Sequence, residues 1–186
     1  MYKLVRVAIL AAAAAFGSGL APSAQAGSGA TLQTTIEDVA RRWPEIGHVS
    51  PAELAALMAQ GKAVVFDVRQ TAEYRVSHLP GAIHVDPGTW RSTFLKRYGD
   101  EVKGKTVVFY CSVGVRSSKL GERVAEGLKA RGATAVDDLA GGIFAWHGER
   151  RPLVDALGPT DFVHPYDSTW GRLLTRQDMV RTEPRS

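Results

Sequence analysis

Val107-Val108-Phe109-Tyr110-Cys111-Ser112-Val113-Gly114-Val115-Arg116-Ser117-Ser118 is an apolar run that stops at a cysteine, turns through a glycine and gives way to a helical pattern. The run 106–110 is β-branched and aromatic, with no polar alternation, so it reads as a strand buried on both faces. Residues 117–131 place Leu120, Val124 and Leu128 on one stripe, with Gly132 as a stop, and read as a helix. Between strand and helix lies a short loop with Cys111 at its start. Gly114 permits a tight path, so backbone N–H groups of Ser112, Val113, Gly114 and Val115 are expected to curl around the sulfur. The helix N-terminus adds partial positive charge and Arg116 adds a full one. All of these favour thiolate over thiol, and the thiolate is the nucleophile. The bland alternative is a small buried hydrophobe at a strand end.

Outward from this stretch the pattern repeats. Residues 63–66, Ala-Val-Val-Phe, form a second buried strand candidate and run into Asp67. Residues 82–85 and 134–136 are shorter strand candidates, and 47–50 a short edge strand. Ser50, with Pro51 and Glu53 behind it, reads as the N-cap of a helix that Gly61 ends. Residues 36–43 suggest another short helix stopped by Pro44. Residues 26–35, mostly Gly, Ser, Thr and Ala, are expected to be loose. Gly141-Gly142 reads as a turn, with one helical turn over 143–147. Strands alternating with helices predict an α/β domain: an open parallel sheet with helices on both faces, doubly wound. In such a sheet ligands bind at the carboxyl ends of the strands, where Cys111 falls.

The chain has 186 residues, 45% of them hydrophobic and 23% charged, which suits one globular domain. Residues 1–26 carry Lys3 and Arg6, then an apolar run over 7–16, then Ala24-Gln25-Ala26. This is the order of a secretory signal peptide, with cleavage expected after Ala26 and a periplasmic or secreted product. The apolar run is shorter than the roughly 20 residues that span a bilayer. An uncleaved anchor or a buried Ala-rich helix is the alternative. Loss of Lys3 and Arg6 would leave 21 basic against 19 acidic residues, too small an excess to suggest nucleic-acid binding. A single cysteine excludes an internal disulfide, so a thiol in an exported chain needs a reason to be there.

Several short motifs stand in a fixed order from 49 to 146. Asp67-Val68-Arg69 and Glu73-Tyr74 follow the first buried strand. His78-Leu79-Pro80-Gly81-Ala82-Ile83-His84-Val85 comes next, then Cys111 to Arg116, then Gly141-Gly142 with Trp146. Together they resemble the rhodanese family, whose loop reads Cys-x-x-Gly-x-Arg. The departure is Ser77, where that family usually has Gly before the histidine.

With the signal peptide (1–26) read above, the resemblance divides the rest into an N-terminal segment (27–46), a rhodanese-like domain (47–151) and a C-terminal extension (152–186). It implies sulfur transfer in two steps through a persulfide on Cys111. The donor would be thiosulfate or a similar small anion, and the acceptor a thiol or cyanide. Ser112, Val113, Gly114, Val115 and Arg116 would hold the substrate, with Asp67 and Arg69 behind them as an ion pair or cap. No metal and no organic cofactor is implied, and the five histidines show no ligand spacing. His78 is expected to cap or hydrogen-bond a turn. Trp146 is expected in the core, with a pocket wall as the alternative. Glu149, Arg150 and Arg151 read as a solvated charge run.

Two rival functions remain at this point. Cysteine phosphatases need five residues between Cys and Arg, and here there are four, so the loop suits a sulfur atom better than a phosphate. Arsenate reduction is less excluded. Trp170, Leu173 and Leu174 are expected to dock a short amphipathic helix on the body. A relay or protein-binding module is the non-enzyme alternative, and the extension 152–186 is the feature that would mark a protein partner.

Overall fold

The two apolar runs lie side by side in the computed structural model, which describes residues 29–186. The expected signal segment lies outside the described residues. Strands β2 (Ala63–Asp67) and β4 (Thr106–Tyr110) are parallel, with Ala63 opposite Thr106 and Asp67 opposite Tyr110. Strand β5 (Ala135–Leu139) pairs with the other side of β4, β1 (Gly47–Val49) forms one edge and β3 (Ile83–His84) the other. All the pairings in this five-stranded sheet are parallel.

Alternate residues of each central strand enter different cores, which explains the missing polar alternation. On one face Phe66, Val107, Phe109 and Val136 pack with Phe94, Tyr98, Leu120, Val124 and Leu128. Phe66 lies 5.0 Å from Phe94 and 5.1 Å from Tyr98 between ring centroids, both edge-on, the geometry that aromatic quadrupoles favour. On the other face Val65, Val108, Tyr110 and Leu139 pack with Leu54, Ile143, Phe144 and Trp146.

Helix α2 (Pro51–Ala59) opens with the expected capping box, in which Ser50 and Glu53 satisfy each other's backbone N–H. Helix α1 (Leu32–Arg42) begins inside the stretch expected to be loose, because Thr31 and Thr34 make a second box. Helices α3 (Thr71–Val76) and α4 (Arg91–Tyr98) are short, and α4 has no side-chain cap. Helix α5 (Val115–Lys129) starts two residues before the expected position, directly on the cysteine loop. Helix α6 (Gly142–Gly148) takes in the second glycine of the expected turn. Ser77 adopts extended backbone (φ −173°, ψ 160°), so a β-carbon is tolerated where the family usually has Gly.

Residues 152–186 pack onto the domain. Strands β6 (Leu153–Asp155) and β7 (Gly158–Thr160) form a hairpin, and Val154 exchanges backbone hydrogen bonds with His78. Leu153, Val163 and Leu174 are buried in the second core, with Trp170 and Leu173 against it. Helix α7 (Ser168–Gly171) is shorter than the amphipathic pattern suggests: it ends before Leu173 and Leu174, which dock from the following turn. A 3-10 turn, Gln177–Met179, follows. No helix among the described residues is long and apolar enough to cross a membrane.

Candidate active site

Cys111 follows the last residue of β4, at the carboxyl edge of the sheet, and is 1% exposed. Gly114 makes the loop possible. Its φ of 109° is left-handed, and a β-carbon there would lie 2.8 Å from an Asp138 carboxylate oxygen. In this conformation the Gly114 N–H donates to Cys111 Sγ at 3.2 Å. The 15-residue helix α5 begins at the next residue, so its positive end faces the sulfur. Behind the loop, the N-terminus of α6 holds its backbone. Ile143 N–H donates to the Cys111 carbonyl (2.9 Å) and Phe144 N–H to that of Ser112 (3.1 Å). A β-carbon on Gly142, whose φ is 55°, would lie 2.4 Å from the Cys111 oxygen.

Burial pushes the Cys111 thiol up. The Arg116 charge, the Ser117 hydroxyl and the Ser117 and Val113 amides outweigh it and hold the thiol below its ordinary pKa. The shift favours thiolate over thiol relative to a free cysteine. Arg116 does this from a fixed position. Its guanidinium makes two hydrogen bonds to Glu73, Nη1 to Oε2 at 2.7 Å and Nη2 to Oε1 at 2.8 Å, and a third from Nη2 to Ser112 Oγ at 2.9 Å. Ser112 Oγ donates to Glu73 Oε1 at 3.1 Å. Burial would raise the Glu73 carboxyl, but these bonds, with the charge of Arg69, keep it below the usual range. Glu73 thus neutralises the cation of the loop, a role that its motif position alone does not reveal. A buried arginine requires a carboxylate partner, and this is the signal that points to it.

Asp67 and Arg69 sit one strand away and make no hydrogen bond or ion pair to residues 112–116. They form a fully buried pair, with Arg69 Nη2 2.6 Å from Asp67 Oδ2 and bonded also to the Ser77 carbonyl. Tyr110, the neighbour of Cys111, donates to Asp67 at 2.7 Å and accepts from Leu79 N–H. The pair therefore fixes the ends of β2 and β4 and the 77–79 turn. His78 stacks on Tyr74 at 3.8 Å, with Nδ1 3.1 Å from the Tyr74 carbonyl. Trp146 is buried and donates to the Pro152 carbonyl. Glu149 and Arg151 pair with each other away from the loop.

Asp138 is a further buried group that the sequence reading does not reach, because the strand candidate stops at Val136. β5 continues through Asp137-Asp138 to Leu139. Asp138 is fully buried, and neither carboxyl oxygen has a hydrogen-bond partner. Burial and the nearby Cys111 push its carboxyl well above the usual range, against a weaker pull from the Ser117 and Ser118 hydroxyls. Both effects favour the protonated carboxyl beneath the loop.

Above Cys111 lies a cavity of about 120 Å³, lined by Cys111, Ser112, Val113, Val115 and Arg116 and closed by Tyr166 and Trp170 of the C-terminal extension. The Arg116 guanidinium stacks 4.5 Å from the Tyr166 ring. Among the described residues, no cluster of three His, Cys, Asp or Glu side chains gathers in a metal-holding arrangement.

An open parallel sheet with a cysteine loop at its carboxyl edge, feeding a helix N-terminus, defines a class of thiolate-using α/β domains. The rhodanese-like domain model matches residues 50–149, and the chain belongs to that family. Among curated proteins it is 33% identical over 101 residues to the tRNA uridine(34) hydroxylase of Bacillus pumilus and 30% identical over 118 residues to that of Shouchella clausii. These matches take in 53% and 62% of this chain but 30% and 35% of those proteins. Among solved structures, the thiosulfate sulfurtransferase of Pseudomonas aeruginosa matches 67% of this chain and 23% of its own at 22% identity, with a TM-score of 0.51. The As-Sb reductase of Leishmania major matches 61% of this chain and 88% of its own at 27% identity, with a TM-score of 0.52.

Proposed function

We propose that the protein is a sulfurtransferase that carries sulfane sulfur as a persulfide on Cys111. The observation that carries this reading is the Gly114 N–H on Cys111 Sγ at the start of α5, in a loop with four residues between Cys111 and Arg116, one fewer than cysteine phosphatases use. The Cys111 thiolate attacks the outer sulfur of thiosulfate, the S–S bond breaks with its electrons going to sulfite, and a cysteine persulfide anion remains. An acceptor thiolate or cyanide then attacks the terminal sulfur and releases the Cys111 thiolate, leaving an acceptor persulfide or thiocyanate. The loop amides and the helix end that favour thiolate suit the persulfide anion equally well.

Oxyanion reduction is the second reading, supported by the likeness to the Leishmania reductase. Tethering of Arg116 to Glu73 weighs against it, since an oxyanion needs a free cation. Hydroxylation of tRNA uridine is named for relatives of which the chain covers about a third. One panel separates these readings. Thiocyanate formation from thiosulfate and cyanide, dependent on Cys111, supports sulfur transfer. Arsenate reduction or aryl-phosphate hydrolysis dependent on Cys111, without thiocyanate, contradicts it.

A further inference from the structure

We propose that residues 163–174 of the C-terminal extension are the specificity wall of the Cys111 site. On this view they select a sulfur donor bearing a small apolar group over inorganic thiosulfate. The inference rests on the persulfide reading and adds the class of donor. Three observations carry it.

The first is the lining. Val113, Val115, Tyr166 and Trp170 surround a space of about 120 Å³ above the sulfur. An apolar cavity of about 150 Å³ holds a benzene molecule, so this one has room for a short alkyl group or most of a phenyl ring.

The second is charge. Of the described residues lining the cavity, Arg116 carries the cation, and Glu73 already holds it with two hydrogen bonds while Tyr166 covers its face. A thiosulfate dianion entering beside the thiolate would lose its water without gaining an uncommitted cation. A monoanionic thiosulfonate, R–SO2–S−, brings half the charge and an apolar group that the wall can bury.

The third is construction. Tyr166 is held at a φ of 68°, a left-handed conformation costly for a non-glycine residue. His164 Nδ1 accepts the Tyr166 N–H at 2.9 Å, and Asp167 accepts those of Thr169 and Trp170, each at 2.8 Å. Val163 anchors one end by exchanging backbone hydrogen bonds with Met179 and Arg181. Gln177 donates to the Gly171 and Leu174 carbonyls at the other. The two rings are thus positioned by a closed strap.

The chemistry balances. The Cys111 thiolate attacks the outer sulfur, the S–S bond breaks, the sulfinate R–SO2− leaves with the electron pair, and the persulfide anion stays on the protein.

The test measures single-turnover sulfur loading of the full chain by intact mass, with thiosulfate, methanethiosulfonate and benzenethiosulfonate. Wild type should load from benzenethiosulfonate at the lowest donor concentration. Tyr166→Ser and Trp170→Ala should each cut the benzenethiosulfonate rate about tenfold more than the thiosulfate rate, the discrimination a small apolar contact provides. Taking the ratio within each protein cancels the donors' intrinsic reactivities. Tyr166 is 39% exposed, so its truncation spares the core if Trp170→Ala disturbs it. An unchanged ratio in Tyr166→Ser, or saturation by thiosulfate at lower concentration than by either thiosulfonate, overturns the inference. Loading from no donor overturns the persulfide reading beneath it.

Discussion

Cys111 is surrounded by charges that oppose one another, and each can be removed separately. Arg116 lowers the thiol pKa, and Glu73 offsets the Arg116 charge through two hydrogen bonds. Arg116→Ala removes the cation and leaves a buried anion, so the pH profile of Cys111 alkylation should move up. Glu73→Gln keeps hydrogen-bonding atoms in place but frees the cation, so the profile should move down. Shifts of the same sign in both variants would contradict this arrangement. Asp138 makes a second residue-scale prediction. Its folded-state pKa is raised, so the folded protein holds a proton that the unfolded chain has released. The Asp138 contribution to stability therefore falls as pH rises from the ordinary aspartate range, about 4, up to the folded pKa. Asp138→Asn lacks this loss, so its stability relative to wild type should grow with pH across that window. Denaturant melts at several pH values would show it, and a constant difference would contradict a neutral Asp138. The buried Asp67–Arg69 pair behaves differently again. Arg69→Met leaves a buried carboxylate unpaired and should cost about 3–5 kcal/mol.

At the scale of elements, the loop is held from two sides, by α5 ahead of it and α6 behind. Gly142→Ala drives a β-carbon into the Cys111 carbonyl at a left-handed φ. It should lower stability by about 1–3 kcal/mol, the cost of a strained backbone position, and lower the sulfur-loading rate as the loop shifts. A variant with full loading and unchanged stability would show that α6 does not set the loop. Elements β2, β4, α2 and α5 are legible in the sequence because each has an unbroken local signal: apolar runs, a capping box, a helical stripe. The end of β5 is not, since two consecutive aspartates look like a loop, and only the surrounding layers reveal that Asp138 is enclosed. Helices α3 and α4 have six and eight residues, too few for a periodic pattern to stand out. Glu73 is visible as a motif residue, yet its partner lies 43 positions away, and no local pattern encodes that distance.

Across the whole molecule, the C-terminal extension does not behave as an appendage. The sequence suggests a docked helix only around Trp170, Leu173 and Leu174, but Leu153 and Val163 also join Leu174 in the second core, and Arg185 pairs with Asp155. Tertiary contacts supply an order that local composition does not signal. Each fully buried aliphatic side chain contributes about 1.5–3 kcal/mol, so deleting residues 152–186 should remove about 5 kcal/mol or more. That is a large part of a typical domain's 5–15 kcal/mol, and the truncated chain should melt far lower or aggregate. An equal melting temperature would mean the extension is independent of the domain.

Sulfur transfer of this kind requires Cys111 to hold the moving sulfur atom. Intact-mass measurement of purified protein, before and after a sulfane-sulfur donor, tests it most directly. Each chain should gain one sulfur atom and lose it to cyanide, and Cys111→Ser should gain none. A protein that gains no sulfur from any donor, or a Cys111→Ser variant that still does, would contradict it.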